Sequence, residues 1–202
     1  MKAKAAKFRY VIIALLMVSL FIGVVPTPVT AADVELLTGY TESTWGSDTT
    51  NPDDPYNTWY HDSRAQALYL ASDLTAAGME AGTITAIQLY CYQKHGRPNL
   101  KNFQIRMKLT SATTTTSWEG GWTTVYGPTD VTTTAGEWQT YDLSTTFDWD
   151  GTSNLMIDIC RDDTAWSSGG GMYRRTNVGS NRMFSGRADT IDMCALTSVS
   201  AT

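Results

Sequence analysis

The chain has 202 residues, with 20 acidic side chains against 15 basic ones and a hydrophobic content of 42%, which suits one domain with a core of its own. A net charge of −5 without any basic cluster argues against nucleic-acid binding, because such a surface has no cationic patch to release counterions from a phosphate backbone. Three cysteines without a C-x-x-C spacing argue against a thiolate zinc cage.

The chain opens with Lys2, Lys4, Lys7 and Arg9, then an uncharged run from Val11 to Val25, then Pro26, Pro28 and small residues. A basic stretch, an apolar stretch and a small-x-small site, in that order, are the layout of a secretory signal. The apolar run is also shorter than the ~20 residues a spanning helix needs. Residues 1–32 are therefore expected to be cleaved, leaving 33–202 as a single secreted or cell-surface domain. Cleavage removes four bases and no acid, so eleven bases then face twenty acids and the net charge becomes −9. Outside the cell such acidity serves solubility.

Val34 to Leu37 reads as a short first strand. From Thr38 to Asp62 the pattern is broken by Gly39, Gly46 and Asn51-Pro52-Asp53-Asp54-Pro55, with aromatics at Tyr40, Trp45, Tyr56, Trp59 and Tyr60; this is loop chemistry. Arg64 to Ala71 reads as a strand, and Ser72 to Gly82 as a turn of helix kept short by Gly78 and Gly82. The strongest pattern lies in Thr83 to Leu109. Phe103, Ile105, Met107 and Leu109 alternate with Gln104, Arg106 and Lys108, which puts the apolar side chains on one face of a strand. Before them Thr85, Ile87, Leu89 and Cys91 share a face, and the Gln93–Asn99 stretch between the two strands has turn residues. Four inward residues at about 1.5–3 kcal/mol each rival the net stability of a whole domain, so these alternations define the core.

Thr110 to Ser117 is a polar connection, Trp122 to Tyr126 a short strand, and Gly127-Pro128 the turn that ends it. Trp138 to Leu143 alternates again. Asp150-Gly151 turns the chain into Asn154–Cys160, where Leu155, Ile157 and Ile159 share a face. Met172 to Arg175 follows a glycine-rich loop, and Ile191 to Leu196 is the expected last strand. About eight short strands without an amphipathic helix make an all-β chain, an antiparallel β-sandwich of jelly-roll type. The odd cysteine count allows at most one internal disulfide. Cys160 and Cys194 sit on the opposite parity from their strands' apolar residues, which favours that pair; three buried thiols are the competing reading.

Catalytic chemistry finds little support. His61 and His95 have no nucleophile motif around them, and no G-x-S-x-G elbow occurs. A glycosidase needs two carboxylates across a cleft; Glu80, Glu119, Glu137, Asp150 and Asp158 are nominal candidates. Asp53-Asp54 with Asn51, Asp148 with Asp150, and Asp162-Asp163 offer the converging oxygens that calcium takes. None has EF-hand spacing, and turn formation is the favoured reading of them, above all at Asp150-Gly151. Seven tryptophans are many for this length, and Trp45, Trp59, Trp118, Trp122 and Trp166 fall in loops. A flat indole stacks on a sugar face while neighbouring amides and carboxylates take the hydroxyls, so Tyr56, Trp59, Tyr60 and Trp166 are the candidate ligand-binding residues. The competing reading is that these rings cap the ends of the sandwich.

Arg64–Tyr69, Gly82–Ile87, Asn102–Met107, Trp118–Tyr126, Gly136-Glu137-Trp138 and Phe147–Leu155 follow one another in an order that resembles β-sandwich modules of large secreted and cell-surface proteins of bacteria and archaea. Such modules are commonly followed by immunoglobulin-like or fibronectin type III repeats. The resemblance spans most of Tyr60 to Leu196 and implies a non-catalytic accessory or adhesive module, with no catalytic residue carried over. The chain ends directly after its expected last strand, so either further domains of the same protein or a truncated reading frame is expected. The first functional expectation is a surface module for adhesion, glycan binding or envelope structure, partnered by a polysaccharide or cell-envelope component. The second is a small secreted polysaccharide hydrolase using paired carboxylates.

Overall fold

The computed structural model describes residues 7–11, 32–35, 56–167, 172–173 and 181–197. The described chain is mostly strand and forms two antiparallel sheets around one core. The first holds β1 (Lys7–Val11), β2 (Ala32–Glu35), β4 (Gly82–Gln93) and β7 (Glu137–Trp149) in the order β2-β1-β4-β7, with β9 (Met172–Tyr173) also on β4. The second runs β10-β3-β8-β5-β6, from β3 (Asp62–Tyr69), β5 (Leu100–Thr110), β6 (Thr123–Val131), β8 (Asn154–Arg161) and β10 (Met183–Ala188). Apart from the β1–β2 and β5–β6 connections, each successive strand lies in the other sheet. One short helix, α1 (Ala71–Ala76), buries Leu74. Among the described residues no helix is long and apolar enough to cross a membrane.

The core lies where the expected alternations put it. Phe103, Ile105 and Met107 of β5 and Leu155, Ile157 and Ile159 of β8 meet Ile87, Leu89 and Cys91 of β4 and Tyr141 and Trp149 of β7. In β4 the alternation breaks once: the register shifts between Ile84 and Ala86, so Ile84 rather than Thr85 enters the core, as a bulge requires. Leu109 lies beyond the covered part of β5 and is exposed.

Two expectations are corrected. Gly127-Pro128 lies inside β6 rather than ending it; the β5–β6 ladder shifts register repeatedly there, which absorbs a residue that cannot donate. A Cβ on Gly127 would stand 2.1 Å from the Phe103 carbonyl oxygen, at a φ of +73°, so only glycine fits. Ile191–Leu196 is not a strand but a turn, closed by Asp192, whose carboxylate accepts from the Cys194 and Ala195 amides; the last described strand is β10. Lys7–Val11, among the residues of the expected leader, forms a strand between β2 and β4, with Phe8 opposite Ile87 and Val11 opposite Thr83. It supplies the backbone partners that one edge of β4 would otherwise lack.

Candidate functional site

At one end of the two sheets the segment leading into β3 meets the segment leaving β8. Arg161, the last residue of β8, is fully buried, and its guanidinium donates to the carbonyls of Asn57, Tyr60 and His61. One cation thus holds three peptide groups of the 57–61 loop. Asn57 closes that loop locally, its Oδ1 accepting the Trp59 amide at 2.9 Å, which is an Asx turn. On the other side Asp163 Oδ1 accepts from the Thr164 and Ala165 amides at 2.7 and 3.2 Å and from Arg97 at 3.3 Å. The Asp163 amide in turn donates to Asp62 at 3.0 Å. Two hydrogen bonds then join the loops: Ser167 N–H to the Thr58 carbonyl at 2.8 Å, and Thr58 Oγ to Ser167 Oγ at 2.6 Å.

On this base stand Trp59 and Trp166, 52% and 56% exposed. Their ring centroids are 5.9 Å apart, and their planes are inclined by 51°. Next to them the Arg187 guanidinium covers the Tyr60 ring at 4.4 Å. His61 is tied to Asp189 through its amide at 3.1 Å and its ring Nδ1 at 3.0 Å. Beneath the surface, burial and a hydrogen bond with Asp162 push the Asp62 carboxyl up to about 6. Burial likewise drives His95 down to about 4, opposed by the Arg97 main chain; neither ring nitrogen reaches hydrogen-bonding geometry with a partner.

Of the four aromatic candidates, the structure brings Trp59 and Trp166 together at the surface. Tyr60 is half-buried under Arg187. Tyr56 is a core residue, fully buried, with its hydroxyl 2.6 Å from that of Tyr141 and its ring beside Phe103; it presents nothing to a ligand. The alternation rules could not place it, since it sits in a stretch with no strand pattern. Thr58, Asp62, Arg97, Arg161 and Ser167, which build the platform, gave no signal beyond polarity.

The acidic candidates are engaged with their own chain. Asp148 accepts from Thr83 Oγ at 2.5 Å. Asp150 accepts from the amides and hydroxyls of Thr152 and Ser153, and these bonds, the Ser153 hydroxyl first, lower its carboxyl to about 2. Asp53 and Asp54 lie outside the described residues, as does Trp45. Among the described residues no three His, Cys, Asp or Glu side chains converge as a metal ion requires. Of the nominal catalytic acids, Glu119 pairs with Lys108 and Asp158 is sealed between two arginines. Arg64 Nε and Arg106 Nε each donate to Asp158 at 2.6 Å. Arg64 also donates to the Met193, Leu196 and Glu119 carbonyls, and Arg106 to Cys194. Cys160 and Cys194 are disulfide-bonded, their Cα atoms 5.5 Å apart, so the turn that caps this ionic cluster is fastened to β8. Cys91 is buried in the core outside any disulfide, its thiol donating to the Gln93 carbonyl at 3.5 Å.

No family model, curated protein or solved structure matches the chain.

Proposed function

We propose that this protein is a secreted, non-catalytic surface module that binds carbohydrate through Trp59 and Trp166, in adhesion or envelope structure, as one domain of a longer chain. One observation carries the reading: two indoles more than half exposed stand side by side on loops that six or more hydrogen bonds hold in place. Leaving such area in water forgoes the burial that a tryptophan normally supplies, and the loops are too firmly tied to fold the rings inward. Exposed flat aromatics set among amide and carboxylate groups suit a sugar, whose C–H face stacks while its hydroxyls find acceptors. Strand connections that pass from sheet to sheet support the jelly-roll form of the sandwich, and the ordered motifs from Tyr60 to Leu196 support membership among bacterial and archaeal surface modules.

The test is a pull-down of the chain on amorphous insoluble polysaccharides and cell-wall preparations, with calcium and with chelator, following tryptophan fluorescence. Retention that Trp59→Ala and Trp166→Ala each abolish is the expected result; retention unaffected by both removes the reading. Secretion is tested separately by N-terminal sequencing of exported material. A start at Ala32 or Asp33 is expected, which would take β1 away and open the β4 edge from Thr83 to Gln88; a start at Met1 would keep β1 in the sheet and end the leader reading. The hydrolase alternative needs paired carboxylates, and burial with a hydrogen bond to Asp162 raises the Asp62 carboxyl to about 6. At 4% exposure, with an amide already donated to it, Asp62 has no free approach for a substrate.

A further inference from the structure

Resting on that reading, we infer that the Trp59–Trp166 pair takes a single twisting chain of a neutral glycan from solution, and does not adsorb to a crystalline polysaccharide face or to an acidic glycan. The tilt of the rings excludes the crystal face. A flat array of sugar rings can be stacked only by aromatic faces lying in one plane, and these two planes are inclined by 51°. Bringing them into line would require one loop to rotate against the other. The Ser167–Thr58 main-chain bond and the Thr58–Ser167 hydroxyl bond lie between the two tryptophans and resist that rotation. A free chain whose successive sugar rings turn relative to one another presents its faces at just such an inclination. At 5.9 Å between centroids, the indoles are close enough to meet neighbouring sugars of one chain.

Neutrality follows from the charges around the pair. A carboxylate or sulfate is best held by the fork of a guanidinium whose charge is not already countered. Here Arg97 is countered by Asp163, Arg161 is committed to three main-chain carbonyls, and Arg187 is stacked on Tyr60. Asp162 and Asp189 add negative charge to the same end, in a chain already acidic. A polyanion approaching this end meets repulsion; uncharged hydroxyls meet acceptors.

The experiment compares the full chain with Trp59→Ala and Trp166→Ala on soluble arabinoxylan, galactomannan, hydroxyethylcellulose and amylose, on polygalacturonate, and on microcrystalline cellulose and α-chitin. Affinity electrophoresis and calorimetry read binding, circular dichroism confirms that each variant is folded, and sedimentation reads self-association. Retardation by at least one soluble neutral polymer is expected, weakened tenfold or more by either substitution, with no uptake on the crystalline solids and none on polygalacturonate. Tryptophan-dependent uptake by a crystalline solid or by polygalacturonate would overturn this inference and leave carbohydrate binding standing. Binding to none of the seven, or a tryptophan-dependent dimer in sedimentation, would overturn both.

Discussion

Two regions of this molecule use tryptophan, arginine and aspartate for opposite purposes. On the outer face of the β10-β3-β8-β5-β6 sheet, Trp118 is 8% exposed. It packs edge-on against Phe184 at 4.8 Å, with the Arg64 guanidinium 4.7 Å from its ring. Asp158 there is divided between Arg64 and Arg106, and the turn bearing Cys194 closes the cluster over. At the loop end, Arg161 and the Asp163 Oδ1 atom likewise bind the main chain around them, yet the indoles they support face water. An exposed ring on a loose loop says little, because the loop can fold it away; an exposed ring on a stitched loop is held out against its own burial. That contrast, more than the number of tryptophans, marks the site.

The sealed region should yield the largest effects. Asp158→Ala leaves two guanidiniums facing each other in the interior without a counter-charge, and should cost about 3–5 kcal/mol. Urea unfolding measures this; a loss below about 1 kcal/mol would mean that water reaches the cluster and that it is not sealed. The disulfide comes next. Its partners are 34 residues apart, and closing a loop of that length constrains the unfolded chain by about 3–4 kcal/mol on the chain-entropy account. Replacing both Cys160 and Cys194 by Ser should lower stability by that much, while carbohydrate affinity in the folded fraction stays unchanged. A parallel loss of affinity would show that the two regions are coupled.

The open region should behave in reverse. Trp59→Ala and Trp166→Ala remove rings with little buried area, so stability should move by no more than about 0.5 kcal/mol, while binding falls tenfold or more. If either substitution costs about 2 kcal/mol of stability instead, the ring is part of the packing and the contrast between the regions fails.

Much of the fold was legible because strands write their faces into the sequence. Phe103, Ile105 and Met107, and Leu155, Ile157 and Ile159, needed no more than a period of two. Where backbone irregularity intervened, the pattern misled: a bulge exchanged Thr85 for Ile84, and a bulged ladder carried β6 straight through Gly127-Pro128. β10 (Met183–Ala188) was missed because its residues are all half-buried and so show no alternation. At the site, residue type pointed to Trp59 and Trp166 but could not separate them from Tyr56, since only long-range pairing with Tyr141 and Phe103 makes Tyr56 a core residue. Arg161 was silent for the same reason: its work is to bind main-chain groups distant in sequence, and nothing local reports it.

The smallest effect concerns two buried groups under the platform whose pH dependences oppose each other. Asp62 rises in the fold from 3.8 to about 6. Between those values the folded protein keeps a proton that the unfolded chain has released, so stability from this group is present at low pH and is lost as pH rises from about 4 to 6. His95 falls from 6.5 to about 4. There the unfolded chain takes up the proton first, so stability is present above 6.5 and is lost as pH falls toward 4. Asp150, lowered to about 2, has its stabilising contribution in place above 3.8 and stays outside this window. The two slopes offset each other, and the urea midpoint of the wild-type protein should change little between pH 4 and 6. Asp62→Asn keeps an acceptor for the Asp163 amide and removes one slope, so its midpoint should climb from pH 4 to 6.5. His95→Gln should do the opposite and decline from pH 4 to 6. An Asp62→Asn profile parallel to the wild type would mean that the folded protein does not hold a proton on Asp62. The carboxylate would then be charged beneath the Trp166 loop, and the Asp163 amide would be bonded to an anion.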